Sequence, residues 1–329
     1  MLLDSYGRKI RDLRISLTDR CNFRCFYCLP NGEPPMARRD TILTFEEITR
    51  LASVFVSLGI EKIRLTGGEP MLRRGIIDLV FELSQLKPAL KDLALTTNSH
   101  GIIENAQKLR NAGLDRITIS LDSLDRQKFA DITGVDELDN VLGSISAAKA
   151  AGFSTVKVNA CVVRGRNDDE VVEMARFARD SAASFRFIEF MPLDSGHEWD
   201  RSQVVSGREI FDKINTVFPL ELVAPTRGSE TAWKYTFTDG SPGEIGIIAP
   251  VTEMFCGQCS RIRLTADGQI RTCLFSTTEH NLRDVLRNGA TDDEIAEFIR
   301  NVTLKKEPRH YINETAFVTP SRSMSFIGG

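Results

Sequence analysis

The sequence predicts an α/β protein built from parallel strands that alternate with helices. Short runs rich in β-branched residues recur through the first two thirds of the 329-residue chain. A segment with helical periodicity separates each run from the next, and this order is typical of a parallel sheet. Six such runs are present, at residues 13–19, 62–68, 92–98, 116–122, 156–163 and 185–191.

The segments between the runs carry signals for helix ends. In the segment 44–59, Thr44 and Glu47 have capping-box spacing, and Gly59 marks the expected end of the helix. A later helix is predicted to start at Asp168, because acidic side chains favour the positive end of the helix dipole.

Polar residues on one face of the predicted strands bear on how the six units are arranged. Six βα units fit a doubly wound sheet or an incomplete TIM-type (βα)6 barrel, and strands buried on both faces are normally apolar throughout. Here one face of five strands is polar, which indicates a barrel whose lumen binds a ligand; the alternative is that these charges pair among themselves or reach solvent at strand ends. The polar residues are Arg14, Ser16, Thr18, Lys62, Arg64, Thr66, Thr96, Asn98, Thr118, Ser120, Asp122, Lys157 and Asn159.

The last third of the chain has a different composition. Proline and glycine become more frequent after Met191, and the strands there look antiparallel, so we predict a domain boundary near residue 195. Residues 1–195 would form the partial barrel and residues 196–329 a C-terminal α+β extension.

Charge and hydropathy exclude some classes of protein. The net charge of −3 gives no general attraction to nucleic acid. The N-terminus reaches Asp4 before any apolar run, and no segment has the roughly 18 uncharged apolar residues of a membrane span, so we predict neither a signal peptide nor a span. We expect a cytoplasmic protein whose seven cysteines stay reduced, and their odd number favours metal binding over disulfides.

Three of the cysteines follow the first predicted strand. Cys21, Cys25 and Cys28 have the spacing C-x3-C-x2-C and lie at the barrel rim that carries the active sites of this architecture. A structural zinc site needs four protein ligands, and no histidine or cysteine stands nearby to complete this set. Three thiolates can instead hold an iron-sulfur cluster that leaves one iron open to a further ligand.

Three more cysteines form a second incomplete set. Cys256, Cys259 and Cys273 have the spacing C-x2-C-x13-C. We favour a second iron-sulfur cluster here, with a zinc ribbon completed by a distant ligand as the alternative. The remaining cysteine, Cys161, is expected to pack in the core as a small hydrophobic residue, although its parity in the strand also fits the lumen.

The first cysteine set resembles the cluster motif of the radical S-adenosylmethionine (SAM) superfamily, C-x3-C-x-aromatic-C, with Tyr27 as the aromatic residue. The segment GGEP at residues 67–70 is similar to the one with which that superfamily holds the methionine part of SAM. Over residues 12–329 the chain closely resembles the GTP 3′,8-cyclase family of molybdenum cofactor biosynthesis. The motifs that carry this resemblance are LRISLTDRCNFRCFYC, IRLTGGEP, LTTN, ITISLD, FIEFMP, FCGQC with RIRL, and the terminal Gly-Gly.

The resemblance implies two [4Fe-4S] clusters and SAM as cofactors, and GTP as the substrate. In the family, an electron from the first cluster cleaves SAM, and the resulting 5′-deoxyadenosyl radical takes hydrogen from C3′ of GTP, which then attacks C8. The second cluster would bind the guanine base through its open iron. We therefore also expect an electron donor and a downstream pterin synthase as partners, no nucleic-acid or membrane partner, and a homodimer if the chain associates.

The resemblance also assigns site residues by their position in these motifs. The SAM contacts would be Tyr27, Gly68, Glu69, Thr96, Asn98, Ser120, Lys157 and Met191. The GTP contacts would be Arg14, Lys62, Arg64, Arg186, Arg261 and Arg263. Arg14, Arg261, Arg263, Gly328 and Gly329 would form the catalytic set, and the six clustered cysteines would be the iron ligands.

At two points the sequence does not match the family pattern directly. Arg186 and Met191 differ in parity, so a bulge would be needed to turn both side chains inward. Ser99 stands where glycine is common in the family.

Two other functions are consistent with parts of the pattern. The first is a different radical SAM enzyme with an auxiliary cluster, for example one that modifies a peptide. The second is a zinc-stabilised binding protein, a function that would not explain the polar lumen or the GGEP segment.

Overall fold

The computed structural model describes residues 1–29, 36–193, 199–315 and 317–328, and its main feature is one large sheet. The strands in chain order are β1 (Leu2–Leu3), β2 (Lys9–Ile10), β3 (Asp12–Ser16), β4 (Lys62–Thr66), β5 (Asp92–Thr97), β6 (Arg116–Ser120), β7 (Val156–Val162), β8 (Ser184–Glu189), β9 (Leu220–Leu222), β10 (Trp233–Phe237), β11 (Glu244–Ile248), β12 (Arg261–Leu264), β13 (Gln269–Arg271) and β14 (His280–Asn281).

Ten α-helices are present in the described ranges. They are α1 (Phe45–Ser57), α2 (Ile76–Ser84), α3 (Ile102–Asn111), α4 (Arg126–Thr133), α5 (Leu138–Ala150), α6 (Val171–Asp180), α7 (Gly207–Val217), α8 (Leu282–Arg287), α9 (Asp292–Thr303) and α10 (Met324–Ile327). None of these helices is long and apolar enough to cross a lipid bilayer.

The six predicted runs form six consecutive parallel strands, β3 to β8, each paired with the next. β3 also pairs with β12, and β8 with β11, so β3 and β8 are not neighbours among the described strands. The prediction of an incomplete (βα)6 barrel is therefore confirmed.

The C-terminal strands differ in part from the antiparallel arrangement predicted for them. β9 and β10 pair antiparallel, as do β13 and β14, but β11 runs parallel to β8 and β12 parallel to β3. The C-terminal segment thus extends the barrel sheet at both edges. The predicted boundary at residue 195 lies outside the described residues and stays a prediction.

The apolar face of the barrel strands packs outward against the helices. Leu13, Ile15, Ile63 and Leu65 of β3 and β4 are fully buried in one continuous core. Burial of such a side chain contributes about 1.5–3 kcal/mol relative to exposure. The opposite face of each strand is consequently left to line the lumen.

The capping signals in the sequence correctly predict the start of α1, whereas α6 starts later than predicted. Thr44 accepts a hydrogen bond from the backbone of Glu47, and the Glu47 side chain accepts one in return, which confirms the capping box. The helix predicted from Asp168 begins at Val171 instead. The reason is that the Asp168 carboxylate accepts a hydrogen bond from Gly165 in the preceding turn, at 2.7 Å.

Candidate active site

The first cysteine set lines a cavity of about 190 Å³ at the carboxyl ends of the barrel strands. The walls come from the loop after β3, the GGEP segment after β4 and the ends of β5 to β8. The lining residues to which the resemblance assigns iron or SAM are Cys21, Cys25, Tyr27, Cys28, Gly68, Thr96, Asn98, Ser120 and Met191.

The cysteines of this set are half-buried, and their thiols already accept hydrogen bonds. The sulfur of Cys21 accepts from the Phe23 amide at 3.4 Å and from Asn98 Nδ2 at 3.6 Å. Burial raises the pKa of the Cys28 thiol to about 12, against a hydrogen bond from the backbone of Ser325. Such thiols bind as thiolates only when a positively charged group replaces the proton, which an iron-sulfur cluster does. The donor set therefore fits the group that the family motif implies.

The cysteine loop packs closely against the GGEP segment at a glycine. A Cβ atom on Gly68 would lie 2.1 Å from the carbonyl oxygen of Arg20. The Gly68 amide donates to the Thr18 carbonyl, and the Glu69 amide donates to the Arg20 carbonyl, both at 2.7 Å. Only glycine allows the two backbone segments to approach this closely. The GGEP motif therefore positions the cysteine loop, in addition to facing a ligand.

Glu69 itself lies beneath the cavity. Its carboxylate accepts hydrogen bonds from the Asn98 amide at 2.7 Å, from Thr97 Oγ1 at 2.8 Å and from the Met71 amide at 2.9 Å. Burial outweighs these bonds and raises the pKa of Glu69 to about 7. Glu69 thus connects the loops after β4 and β5.

Asp122 and Tyr27 form a second buried polar pair beside the first cysteines. The Tyr27 hydroxyl donates to Asp122 Oδ2 at 2.6 Å, and the Cys161 amide donates to Asp122 Oδ1 at 2.8 Å. Burial raises the pKa of Asp122 to about 6, against these two bonds. This pair fixes the aromatic residue of the cysteine motif.

Cys161 differs from the core position expected for it. It lines the smaller cavity, close to Asp122, because its parity in β7 turns it toward the lumen. Ser99 has φ of 92°, in the left-handed region where glycine is favoured. The left-handed backbone fits the glycine that the resemblance implies for this position.

The larger cavity, of about 320 Å³, is rich in cations. Strand register places Arg14 opposite Arg64 and opposite Arg263 on its other side, and Arg186 opposite Asn159. The basic residues that line the cavity are Arg14, Lys62, Arg64, Arg116, Lys157, Arg186, Lys234, Arg261, Arg263 and Lys306. Asp12, Asp92 and Glu230 are the acidic ones.

Burial and mutual repulsion lower the pKa of several of these cations. Burial and the neighbouring Arg64 lower the pKa of Arg14 to about 9, and burial and Arg186 lower that of Arg64 to about 9. Burial and Arg186 also lower the pKa of Lys157 to about 7. A bound polyanion relieves this repulsion, so the cavity is suited to a ligand with several phosphates.

The second cysteine set, Cys256, Cys259 and Cys273, opens onto this larger cavity. Arg261 Nη2 donates to the sulfur of Cys259 at 3.4 Å. Burial opposes ionisation of Cys259, but Arg261 and Lys306 outweigh it and lower the pKa of this thiol to about 7. In the described ranges, no three His, Cys, Asp or Glu side chains are grouped so as to hold a single metal ion.

The two cavities adjoin each other. Thr96, Asn159, Ile188, Met191 and Met324 line both of them. A ligand beside the first cysteines and a ligand beside the second therefore share walls. This proximity is the main chemical property of the site, because it places a ligand in one cavity close to a ligand in the other.

The C-terminal tail also contacts residues of the barrel strands. Arg263 Nη1 donates a hydrogen bond to the Gly328 carbonyl. Gly328 has φ of 77°, and a Cβ atom there would lie 2.5 Å from Thr66 Oγ1. The tail thus lies over the ends of β3 and β4 in a conformation that favours glycine.

Sequence comparisons identify the family. Residues 15–178 match the radical SAM superfamily, and residues 183–312 match the family described as Molybdenum Cofactor Synthesis C. A GTP 3′,8-cyclase of Rhodopirellula baltica is 44% identical over 333 residues, covering 100% of this chain and 92% of the relative. One of Streptomyces coelicolor is 44% identical over 331 residues, covering 100% and 96%.

The chain belongs to the GTP 3′,8-cyclase family. As a radical SAM protein, it uses SAM and a [4Fe-4S] cluster. Solved structures agree on the fold. Streptococcus suis SuiB bound to S-adenosylmethionine has a TM-score of 0.66 at 15% identity, over 96% of this chain and 76% of that one. The structure titled native anSMEcpe with bound AdoMet has a TM-score of 0.59 at 15% identity, over 89% and 82%.

The residues expected to contact GTP all line the larger cavity. Of the expected SAM contacts, Lys157 lines only that larger cavity, and Glu69 lines neither. Gly329 lies outside the described residues. Arg186 and Met191 both reach the lumen without a bulge, because β8 ends at Glu189 and Met191 lies beyond it.

Several lining residues were not among the predicted contacts. Asp122 and Asn159 belong to the polar strand faces, so alternation alone could have singled them out. Lys306 and His310 line the larger cavity from a segment after α9 that matches no motif. No periodicity or spacing in the sequence marks them.

Proposed function

We propose that the chain is a radical SAM GTP cyclase. It converts GTP to (8S)-3′,8-cyclo-7,8-dihydroguanosine 5′-triphosphate and cleaves SAM to 5′-deoxyadenosine and methionine, as the first step of molybdenum cofactor biosynthesis. The observation that carries the proposal is that two cysteine-bearing cavities share wall residues, and the larger of them is lined by arginines.

The first cysteine set and its surroundings would hold the SAM cleavage site. When bound there, a [4Fe-4S] cluster and SAM supply the 5′-deoxyadenosyl radical that removes a hydrogen atom from the substrate. Cys21, Cys25 and Cys28 would be the iron ligands. Asn98 and Ser120 line the same cavity as these cysteines and would orient SAM.

The cations of the larger cavity would bind the triphosphate of GTP. Guanidinium groups form paired hydrogen bonds with phosphate oxygens, and Arg14, Arg64 and Arg186 project from adjacent parts of the lumen. Arg64 is already oriented by hydrogen bonds from its Nη1 to Thr96 Oγ1 at 3.0 Å and to Thr118 Oγ1 at 3.1 Å. These residues fix the ribose between the two cysteine sets.

We further propose that Cys256, Cys259 and Cys273 hold a second [4Fe-4S] cluster. Three thiols beside a nucleotide-sized cavity leave one iron free to bind the guanine base. Zinc is the alternative, and metal analysis separates the two: the cluster proposal expects about eight iron atoms per chain and no zinc. A sample with about four iron atoms and one zinc would contradict it.

The proposal also covers the location, partners, oligomeric state and domain division of the enzyme. We expect a cytoplasmic protein that receives electrons from a separate donor and passes its product to a pterin synthase. A homodimer is the expected oligomer if the chain associates. The division at residue 195 into a barrel domain and a C-terminal domain also remains part of the proposal.

The test is formation of 5′-deoxyadenosine by protein reconstituted under anaerobic conditions, with SAM and a strong reductant. We expect a burst that depends on GTP, that ATP does not replace, and that Cys28→Ala abolishes. Cys273→Ala is the matched variant: it should still cleave SAM slowly and give no cyclised nucleotide. Formation indifferent to GTP would move the substrate elsewhere, and none from a fully iron-loaded sample would remove the radical chemistry.

A further inference from the structure

Lys306 is a buried lysine in the wall of the larger cavity, 4% exposed. Its Nζ donates to the carbonyl of Arg261 at 3.0 Å and to the carbonyl of Thr272. Arg261 follows Cys259 by two residues, and Thr272 directly precedes Cys273. One ammonium group therefore ties together the two segments that carry these cysteines.

The same short segment, residues 306–310, also reaches the third cysteine. The sulfur of Cys256 accepts a hydrogen bond from the backbone of His310. Arg8 Nη1 donates to the carbonyls of Cys256 and Pro308, both at 2.9 Å. Residues 306–310 thus contact all three cysteine segments of the second set.

The positive charge of Lys306 lies next to the segments that carry this set. Its hydrogen bonds in the described structure go to neutral carbonyls, which orient the ammonium group without cancelling its charge. Lys306 lines the same cavity as Cys256, Cys259 and Cys273. The lysine therefore favours negative charge at the three sulfurs.

We propose that Lys306 is a positioning residue for the second cluster, which holds the Cys259 and Cys273 segments together and raises the reduction potential of that cluster. This inference rests on the proposed function, because it requires a cluster at Cys256, Cys259 and Cys273. It assigns no contact with substrate to Lys306.

The direction of the effect follows from electrostatics. Reduction adds one negative charge to a cluster whose thiolate ligands already make it anionic. A buried cation stabilises the more negative state, and its effect is larger in a medium of low dielectric constant than in water. Hydrogen bonds and charges around the ligating sulfurs are established determinants of iron-sulfur potentials.

The experiment isolates the second cluster in the full-length chain. Cys21, Cys25 and Cys28 are all replaced by alanine, which should leave about four iron atoms per chain. In this background Lys306→Gln removes the charge but keeps a donor for the carbonyls, and Lys306→Arg keeps the charge. Lys305→Gln, at the exposed neighbouring lysine, is the matched control.

The readouts are iron content and a redox titration followed by electron paramagnetic resonance. We expect Lys306→Gln to lower the equilibrium constant for reduction about tenfold, about 59 mV for one electron. Lys306→Arg and Lys305→Gln should stay close to the parent. Selective loss of iron from Lys306→Gln that Lys306→Arg restores would also support the inference.

Other results overturn it. A Lys306→Gln protein with full iron and an unchanged potential would show that the charge does not act on the cluster. Iron loss in Lys306→Gln that Lys306→Arg fails to restore would show that the charge has no specific role there. A parent that binds no iron at all in this background would instead remove the second cluster from the proposed function, and this inference with it.

Discussion

The guanidinium of Arg263 donates a hydrogen bond to the carbonyl of Gly328, two residues that lie 65 positions apart in the sequence. Arg263 belongs to β12, which pairs with the first barrel strand, so the tail is attached to the wall of the substrate cavity. Removal of this attachment should affect the reaction more than the stability of the fold.

Gly328→Ala tests the attachment. The new Cβ atom would lie 2.5 Å from Thr66 Oγ1 on a backbone with positive φ, so the tail should shift. We expect product formation to fall roughly 10²-fold, the scale for misplaced groups near a reacting centre, with little change in melting temperature. Gly152→Ala, also at positive φ but with open space around it, is the control and should keep full activity. Equal activity in the two variants would contradict the prediction.

Lys157 should make GTP binding depend on pH. In the free protein, burial and Arg186 lower its pKa to about 7. A bound triphosphate raises this pKa, so binding takes up a proton above about pH 7 and affinity falls as pH rises further. Below about pH 7 the lysine is charged with and without ligand and adds no pH dependence.

Calorimetry in buffers of different ionisation enthalpy measures that proton uptake. At pH 8 we expect uptake in the parent protein and in Lys108→Met, which alters an exposed lysine of α3. Lys157→Met should lose this uptake. The same uptake in Lys157→Met as in the parent would assign the proton to another group.

Tyr27→Phe should destabilise the loop that carries the first cysteines. The substitution removes the hydroxyl that donates to Asp122 at 2.6 Å and leaves a buried carboxyl group with one fewer partner. We expect a loss of about 1–3 kcal/mol in the free energy of unfolding, measured with urea on iron-free protein. Tyr6→Phe, at a tyrosine 56% exposed, should change it little. A loss no greater than that of Tyr6→Phe would show that the hydroxyl contributes nothing.

Glu69 should reduce the stability of the iron-free protein as pH rises. Burial raises its pKa from 4.5 to about 7. Between these pH values the folded state binds the proton and the unfolded state does not, so stability falls with pH by roughly 3 kcal/mol on account of this group. Glu69→Gln should lack that part of the pH dependence, and Glu104→Gln, at an exposed site, should retain it. Parallel pH profiles for the parent and Glu69→Gln would contradict the prediction.

Local pattern was enough to predict the barrel and most of the cavity walls. Polar residues recur on one face of β3 to β7, so residues such as Arg64 and Asn159 could be placed in the lumen before any contact was known. The same alternation failed at Met191 only because the strand ends at Glu189, and strand ends are poorly marked in a sequence.

Long-range pairing could not be predicted in this way. β11 and β12 are short, and nothing within them indicates that each runs parallel to a barrel edge formed by distant residues. Lys306 was missed for the same reason. A lysine after an amphipathic helix is normally a solvated charge, and only the tertiary structure shows that carbonyls of Arg261 and Thr272 enclose it.

The pairing of β12 with β3 has a consequence for synthesis of the chain. Asp12 of β3 is synthesised 249 residues before its partner Arg261 of β12. At roughly 5–20 residues per second, the first barrel strand keeps one edge unpaired for tens of seconds. A nascent chain with an open strand edge is exposed to aggregation during that interval. Truncation before β12 would make the exposure permanent, so fragments that end within the barrel should require a chaperone to stay in solution.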